Sequence, residues 1–351
     1  MPNNNKINNI LIVRLSAIGD IVMASAIITP LKKKYPDANI YWLAQPESRA
    51  LLEHHPDIKG VIPWPRSEWL SLWKAKEYGK LWAVFRAFRQ QLLRYDFDLA
   101  LDLQGLLKSG LFTRASGAKK RIGLGSREGS QYFMHQVVSR NKGNTRLIGS
   151  EYRYLAEQLG LEGEPWRMRV AYDDQAAQKA KTILGESTNG QPFIVICPFT
   201  TRPQKHWFND YWVGLIEKLK TTYQLPVVML GGPADCEAAK SISENSDVID
   251  LTGKTSLTVA AAIINQCHLL VGVDTGLTHM GHAAQVPTVA LFGSTRPYLE
   301  TDLASSHVIY HERECSPCKR KPTCDGRFDC MREITPDEVV ATALALTGPV
   351  Q

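Results

Sequence analysis

The chain has 351 residues, 44% hydrophobic and 22% charged, which is globular composition with enough length for two domains, each burying its own core. No apolar run approaches the roughly 18–20 residues of a membrane-spanning helix. The opening MPNNNKINN lacks the basic-then-apolar order of a secretory leader, so a cytoplasmic protein is expected.

The net charge of +6 is unevenly placed. Residues 1–170 carry 26 Lys and Arg against 15 Asp and Glu, and the remainder carries 15 against 20. The first half therefore suits an anionic partner: nucleic acid, an anionic membrane surface or an acidic glycolipid. No helix-turn-helix, RNP or zinc-finger pattern occurs, so nucleic acid is not expected.

In chain order, residues 9–15 (NILIVRL) read as a first strand, 16–20 as a turn and 21–34 as a helix with a basic last turn. Strands follow at 41–43, from 61, at 99–103 and at 121–123. A helix ends at 51–55 and another opens at 106–109. This alternation predicts a parallel, doubly wound sheet. Residues 66–95 carry Trp69, Trp73, Trp82, Phe85 and Phe88 among Lys74, Lys76, Lys80, Arg86, Arg89 and Arg94. A helix of this kind either lies in a membrane interface or buries one face in a core, and the second reading is preferred. A polar stretch at 161–190 interrupts the pattern, and the domain boundary is set near residue 170. The alternation restarts with strands at 193–197, 227–230, 248–251 and 269–274 and helices at 211–223, 234–243 and 257–266. A last helix at 336–346 could pack on either half. Two α/β halves imply a cleft between them, where a ligand binds.

Polar turns at strand ends carry the chemistry. Asp274-Thr275-Gly276 follows an apolar strand and opens the small-residue helix LTHMGHAA, so backbone N–H groups and the positive dipole end stand where open α/β sheets bind anions. The same sequence also reads as an ordinary capped helix. At CPFTTRPQKHW a strand opens into a loop with Thr200, Thr201, Arg202 and Lys205, a composition suited to a diphosphate. Ser16-Ala17-Ile18-Gly19-Asp20 is not G-x-G-x-x-G, and no P-loop occurs, which argues against dehydrogenase and triphosphatase chemistry. Asp96-Phe97-Asp98 spells D-x-D but reads as a solvated strand entry.

ILIVRLSAIGDIV, DLQGLLKS, PFTTRPQKHW, GGPADCE and VGVDTGLTHMGHAA, in this order from residue 10 to about 293, resemble the heptosyltransferases of glycosyltransferase family nine, and TTRPQKHW resembles the heptosyltransferase I branch more than II. The resemblance implies an α/β GT-B fold, two doubly wound parallel-sheet (Rossmann-like) domains facing across a cleft. Residues 1–170 would bind the acceptor and 171–351 the nucleotide-sugar donor. It implies inverting transfer of heptose from ADP-L-glycero-β-D-manno-heptose to the Kdo of the lipopolysaccharide inner core, with no cofactor needed for catalysis. Asp20 matches the proposed general base. Thr200, Thr201 and Lys205 match diphosphate contacts, Asp274, Thr275, Gly276 and His279 the donor-site turn and helix, Thr255 the adenine site, and Asp235 (or Glu237) the ribose carboxylate. A helix N-terminus favours a carboxylate by only roughly 0.3–1 kcal/mol, so capping and base roles at Asp20 are compatible. Lys108, Lys119, Lys120 and Arg121 are candidates to meet a Kdo–lipid A acceptor at the cytoplasmic face of the inner membrane. Readings from other classes are a transferase with another acceptor, protein included, and a non-catalytic sugar-nucleotide binder.

Seven cysteines are present. Cys197, Cys236 and Cys267 read as core thiols. Cys315, Cys318, Cys324 and Cys330 lie within sixteen residues, a compact spacing that suggests a structural tetrathiolate site for zinc or iron more than disulfides, the alternative being a reduced loop that binds nothing. Related transferases that modify autotransporter proteins carry a four-cysteine iron finger, which keeps the protein-acceptor reading open.

Overall fold

The computed structural model describes residues 6–140, 142–161, 165–318 and 321–348. Residues 1–5, on which the leader reading partly rests, lie outside them. The chain forms two compact units. One comprises Met1–Thr145 with Gly149–Arg167, the other Arg146–Ile148 with Met168–Gln351.

The first unit holds six strands: β1 (Asn9–Val13), β2 (Asn39–Ala44), β3 (Ile58–Pro63), β4 (Leu99–Asp102), β5 (Lys120–Leu124) and β6 (Gln136–Val138). All pairs are parallel, in the order β3-β2-β1-β4-β5-β6. The second holds β7 (Ile194–Cys197), β8 (Val227–Met229), β9 (Ile249–Asp250), β10 (Leu269–Val273), β11 (Thr288–Phe292) and β12 (Ser306–Tyr310). Its order, β12-β11-β10-β7-β8-β9, repeats the first topology, again all parallel. Central strands are covered on both faces, which is why β4, β7, β10 and β11 are buried throughout. In each sheet the chain reverses its winding between the first and fourth strands. These are β1/β4 and β7/β10, the switch points where such sheets bind ligands beyond the strands' carboxyl ends.

Several elements differ from the expectation. The helix expected at 21–34 is two, Ile18–Ser25 and Ile28–Lys34. Proline is tolerated only in a first helical turn, so Pro30 requires a new helix to start just before it. The segment 66–95 also holds two helices, Arg66–Lys74 and Tyr78–Leu93. Lys76 takes φ +59°, and the N–H groups of Lys76 and Glu77 donate back to the carbonyls of Trp73 and Leu72, 3.0 Å each. That is a Schellman end built without glycine, so no sequence signal marked it. The second of these helices does bury one face, through Phe88 and Leu92. Within the polar stretch 161–190 stands the 15-residue helix Asp174–Thr188, N-capped by the Asp173 carboxylate, which accepts from Ala176 N–H at 2.8 Å. It buries Ala176, Ala180, Leu184 and Thr188, a stripe too small in side-chain bulk to stand out as apolar. Edge strands β6 and β12 were also unmarked, and short edge strands carry little alternation. The last helix, Pro336–Thr347, packs on the second unit through Val339 and Ala343.

Candidate functional site

In the second unit, the loops after β7 and β10 meet at the switch point. The Lys205 ammonium lies 2.6 Å from Asp274 Oδ2, both largely buried. The Thr200 hydroxyl donates to the Asp274 carbonyl at 3.2 Å, and the Thr295 hydroxyl donates to Asp274 Oδ2. His279 Nε2 lies 3.5 Å from Asp274 Oδ1, and its Nδ1 lies 2.7 Å from the Tyr298 hydroxyl. Burial opposes ionisation of Asp274, but hydrogen bonding and charge from His279, then Lys205, outweigh it and hold the carboxyl well below its usual range. Thr275, not Asp274, is the N-cap of the helix Gly276–Ala284, and no side chain caps its first turn. Its leading N–H groups are left for water or an anionic ligand. The helix lies tight on its strand: a Cβ at Gly272 would collide with Thr278 Oγ1.

Thr201 is exposed beside this site. Asp235 and Thr255 lie in the loops after β8 and β9, at the same carboxyl edge of the sheet. The Asp235 carboxylate accepts from Gly232 N–H at 2.8 Å, whereas Glu237 is exposed and pairs with Lys240. These two loops are joined by Gly253 N–H donating to the Gly231 carbonyl at 3.0 Å. Thr295 and Tyr298 were not singled out in the sequence. Thr295 carries the same signal as the other loops, a hydroxyl residue just after a buried strand, whereas Tyr298 lies further along the loop and carries none.

His282, one turn beyond His279, is fully buried, with Nδ1 2.9 Å from Ser306 Oγ. Burial, then the charge of His279, pushes its imidazole down to about 3, against roughly 6.5 in an unfolded chain. The folded state therefore binds fewer protons below that value. Stability from this residue is complete above pH about 6.5 and falls as pH drops from there toward 3, at up to about 1.36 kcal/mol per pH unit. We expect the thermal midpoint to decline between pH about 6.5 and 4.5 and His282→Gln to flatten that decline. An equal slope in both proteins would remove His282 from this account.

In the first unit, Asp20 is the third residue of the helix Ile18–Ser25, not its N-cap, which is Ala17. Its Oδ2 accepts from Ala17 N–H at 3.3 Å and pairs with the Arg14 guanidinium. The Arg14 side chain is 9% exposed and that of Asp20 39%. Arg14 also donates to the Leu103 carbonyl at 3.2 Å, and Gln104 Oε1 accepts from Leu15 N–H at 3.0 Å. The turn after β4 thus braces the turn after β1. Buried Asp102 holds that second turn, accepting from Gln104 N–H, Gly105 N–H and Ser109 Oγ at 2.9–3.0 Å. Burial raises the Asp102 carboxyl above its usual range, against those hydrogen bonds. Arg14 was not singled out in the sequence, because its partner is known only once the turn is folded.

The basic candidates of this unit differ in what their charges do. Lys108 Nζ sits 5.8 Å over the Trp64 ring, and burial, then Arg66, lowers its ammonium. Lys120 is exposed. Lys119 pairs with Asp98 at 2.8 Å. Arg121 donates to the carbonyls of Phe133 and Ala118 at 2.8 and 3.0 Å. Asp98 is not a solvated strand entry: it is buried and accepts from Asn8 and Asn9 N–H at 2.7 and 3.1 Å, pinning the start of β1.

The cysteines also depart from expectation. All seven are free thiols, and Cys236 is exposed. Among the described residues no three His, Cys, Asp or Glu side chains form a group able to hold an ion, so a metal at Cys315, Cys318, Cys324 and Cys330 is not supported. Instead Cys330 is buried beside Gly293, where an added Cβ would come within 3.0 Å of its Sγ, and Cys318 Sγ points to the Ser294 carbonyl at 3.9 Å. These thiols pack against the loop that follows β11.

Residues 85–327 match the profile of glycosyltransferase family 9 (heptosyltransferase). The chain is 27% identical over 333 residues to lipopolysaccharide heptosyltransferase 1 of Pseudomonas aeruginosa, covering 92% of each protein. Among solved structures it resembles the glycosyl transferase family 9 protein of Veillonella parvula, with a TM-score of 0.80 at 21% identity, over 97% of this chain and 98% of that one. It also resembles Escherichia coli ADP-heptose LPS heptosyltransferase II, with a TM-score of 0.75 at 23% identity over the same shares. The likeness shows the expected GT-B class of two Rossmann-like domains.

Proposed function

The chain belongs to glycosyltransferase family 9 (heptosyltransferase) and is a glycosyltransferase, and from that premise we propose that it transfers heptose from ADP-L-glycero-β-D-manno-heptose to the Kdo of the lipopolysaccharide inner core. The observation that carries this reading is the Lys205–Asp274 pair beside an uncapped helix start at the switch point of the second sheet. On this reading the donor binds the second unit and the acceptor the first.

Breaking the bond from sugar to diphosphate leaves negative charge on the departing ADP, and fixed donors in a low-dielectric site stabilise it. Lys205, the hydroxyls of Thr201 and Thr275 and the leading N–H groups of the helix Gly276–Ala284 supply those donors, and Thr200 joins them on turning its O–H away from the Asp274 carbonyl. Asp235 would hold the ribose and Thr255 the adenine. Asp20 takes the proton from the acceptor hydroxyl as the new bond forms on the opposite face of the sugar, inverting the anomeric centre. Both named contacts of its carboxylate fall on Oδ2, which leaves Oδ1 for the proton. The reading sets the chain at the cytoplasmic face of the inner membrane, where Lys108, Lys120 and Arg121 are candidates for acceptor phosphates and carboxylates. Lys119, taken by Asp98, is the weakest of these. No helix of the described residues is long and apolar enough to cross a membrane.

The direct test incubates the purified protein with ADP-heptose and Kdo-lipid A. ADP release with a heptosylated product is expected, and lipopolysaccharide from a strain lacking the gene should end at Kdo. Donor binding without turnover on any core acceptor would instead favour a sugar-nucleotide binder.

A further inference from the structure

Every large hydrophobic side chain that the described residues leave exposed lies between Leu70 and Val137, in the first unit. Trp73 and Trp82 are 59% and 60% exposed. Trp73 meets the exposed Tyr78 edge-on at 5.4 Å, and Trp82 stacks on Phe85 at 5.5 Å. The helix Tyr78–Leu93 turns Phe85, Phe88 and Leu92 toward the core and carries Trp82, Arg86, Arg89 and Leu93 along its exposed side, the i, i+4, i+7, i+11 stripe of one helical face.

The helix Leu107–Ala115 packs beside it, Phe112 lying 5.7 Å from Phe88. It repeats the pattern with exposed Leu107, Leu111 and Arg114. Charge here is one-sided. Residues 66–94 hold seven Lys and Arg against two Glu, and Glu77 is taken by Lys80 at 2.7 Å. Among the described residues Arg86, Arg89 and Arg94 have no acidic partner.

A face made only for solubility has no need of two indoles in water. Indole and phenol rings interleaved with unpaired cations match the headgroup region of an anionic bilayer, where rings settle at the interface and cations meet phosphates. We propose that the helices Arg66–Lys74 and Tyr78–Leu93 seat on an anionic phospholipid surface, with Trp73 and Trp82 in the interface and Arg86 and Arg89 on lipid phosphates. The reason for an enzyme to go there rests on the proposed function, but the binding itself is a property of this face.

The test is flotation of the whole chain, without any substrate, with vesicles of phosphatidylglycerol in phosphatidylcholine and with phosphatidylcholine alone. Binding to the anionic vesicles only is expected, weakening with salt and accompanied by a blue shift of tryptophan emission. Arg86→Gln with Arg89→Gln should weaken binding by roughly 25-fold, from about 5-fold per charge. Trp73→Ala with Trp82→Ala should weaken it by about tenfold or more. Both variants should keep the wild-type thermal midpoint and ADP affinity, since none of the four side chains is buried. Equal binding to both vesicle types, no binding to either, or unchanged binding in the variants overturns the proposal. So does a change from dimer to monomer in the tryptophan variant, which would make the face an interface between copies. Loss of transfer on every acceptor with vesicle binding intact would sink the proposed function and leave this surface standing.

Discussion

Replacing Asp20 by Asn is expected to slow heptose transfer by roughly 100- to 10,000-fold, the range in which a positioned general base contributes, while ADP-heptose binding is retained. The expectation follows from where the carboxylate sits. It is half-exposed in the first turn of the helix Ile18–Ser25, oriented by Ala17 N–H and Arg14, and in a different unit from Lys205 and Asp274. The substitution also leaves the Arg14 guanidinium short of a partner. Breaking a fully buried ion pair costs about 3–5 kcal/mol. With Asp20 39% exposed the loss should be well below that, and the thermal midpoint measures it. Single-turnover rates with saturating donor separate the chemical step from folding. Transfer at the wild-type rate would remove Asp20 from the mechanism.

Lys205→Ala carries the second large effect, on binding instead of chemistry. A hydrogen bond to a charged group contributes about 1.5–3 kcal/mol, so donor affinity should fall by roughly 10- to 150-fold. The loss should be aggravated because Asp274 stays ionised: Thr295 and His279 still hold it, and its charge then faces the diphosphate unopposed. Asp274 titrates well below the usual carboxylate range. Its contribution to stability is therefore complete above pH about 4 and lost only as pH falls below that. Asp274 therefore stays ionised from pH about 5 to 8 and adds no pH dependence of its own to the Lys205→Ala effect on ADP affinity, which calorimetry can check. Lys205→Ala combined with Asp274→Asn should cost less than the sum of the two, as expected for groups in contact. Unchanged affinity in Lys205→Ala would exclude the lysine from the donor site.

The strands around the two switch points were legible as apolar runs ending in polar turns, because a strand covered on both faces must be apolar throughout. The helix break at Lys76 was not, although the break before Pro30 is written in the proline itself. At Lys76 a non-glycine residue adopts the left-handed conformation, and the alanine stripe of the helix Asp174–Thr188 is too weak a pattern to separate from a loop. The thiols at 315–330 show the limit of spacing arguments. Their separation permits a tetrahedral site, yet among the described residues no three ligating side chains form a group able to hold an ion, and Cys330 and Cys318 lie against Gly293 and Ser294.

By itself the sequence determined the class of the molecule: two alternating α/β halves, polar loops at the carboxyl ends of buried strands, and a cationic first half. These are properties of local pattern and composition, and they survive without knowledge of what touches what. Only the tertiary structure decided which charges meet. Lys205 finds Asp274 across 69 residues of chain, Arg14 is buried against Asp20, and Lys119 is spent on Asp98. A side chain's partner is set by sheet order and by the direction each loop takes on leaving its strand, and both are fixed by long-range packing.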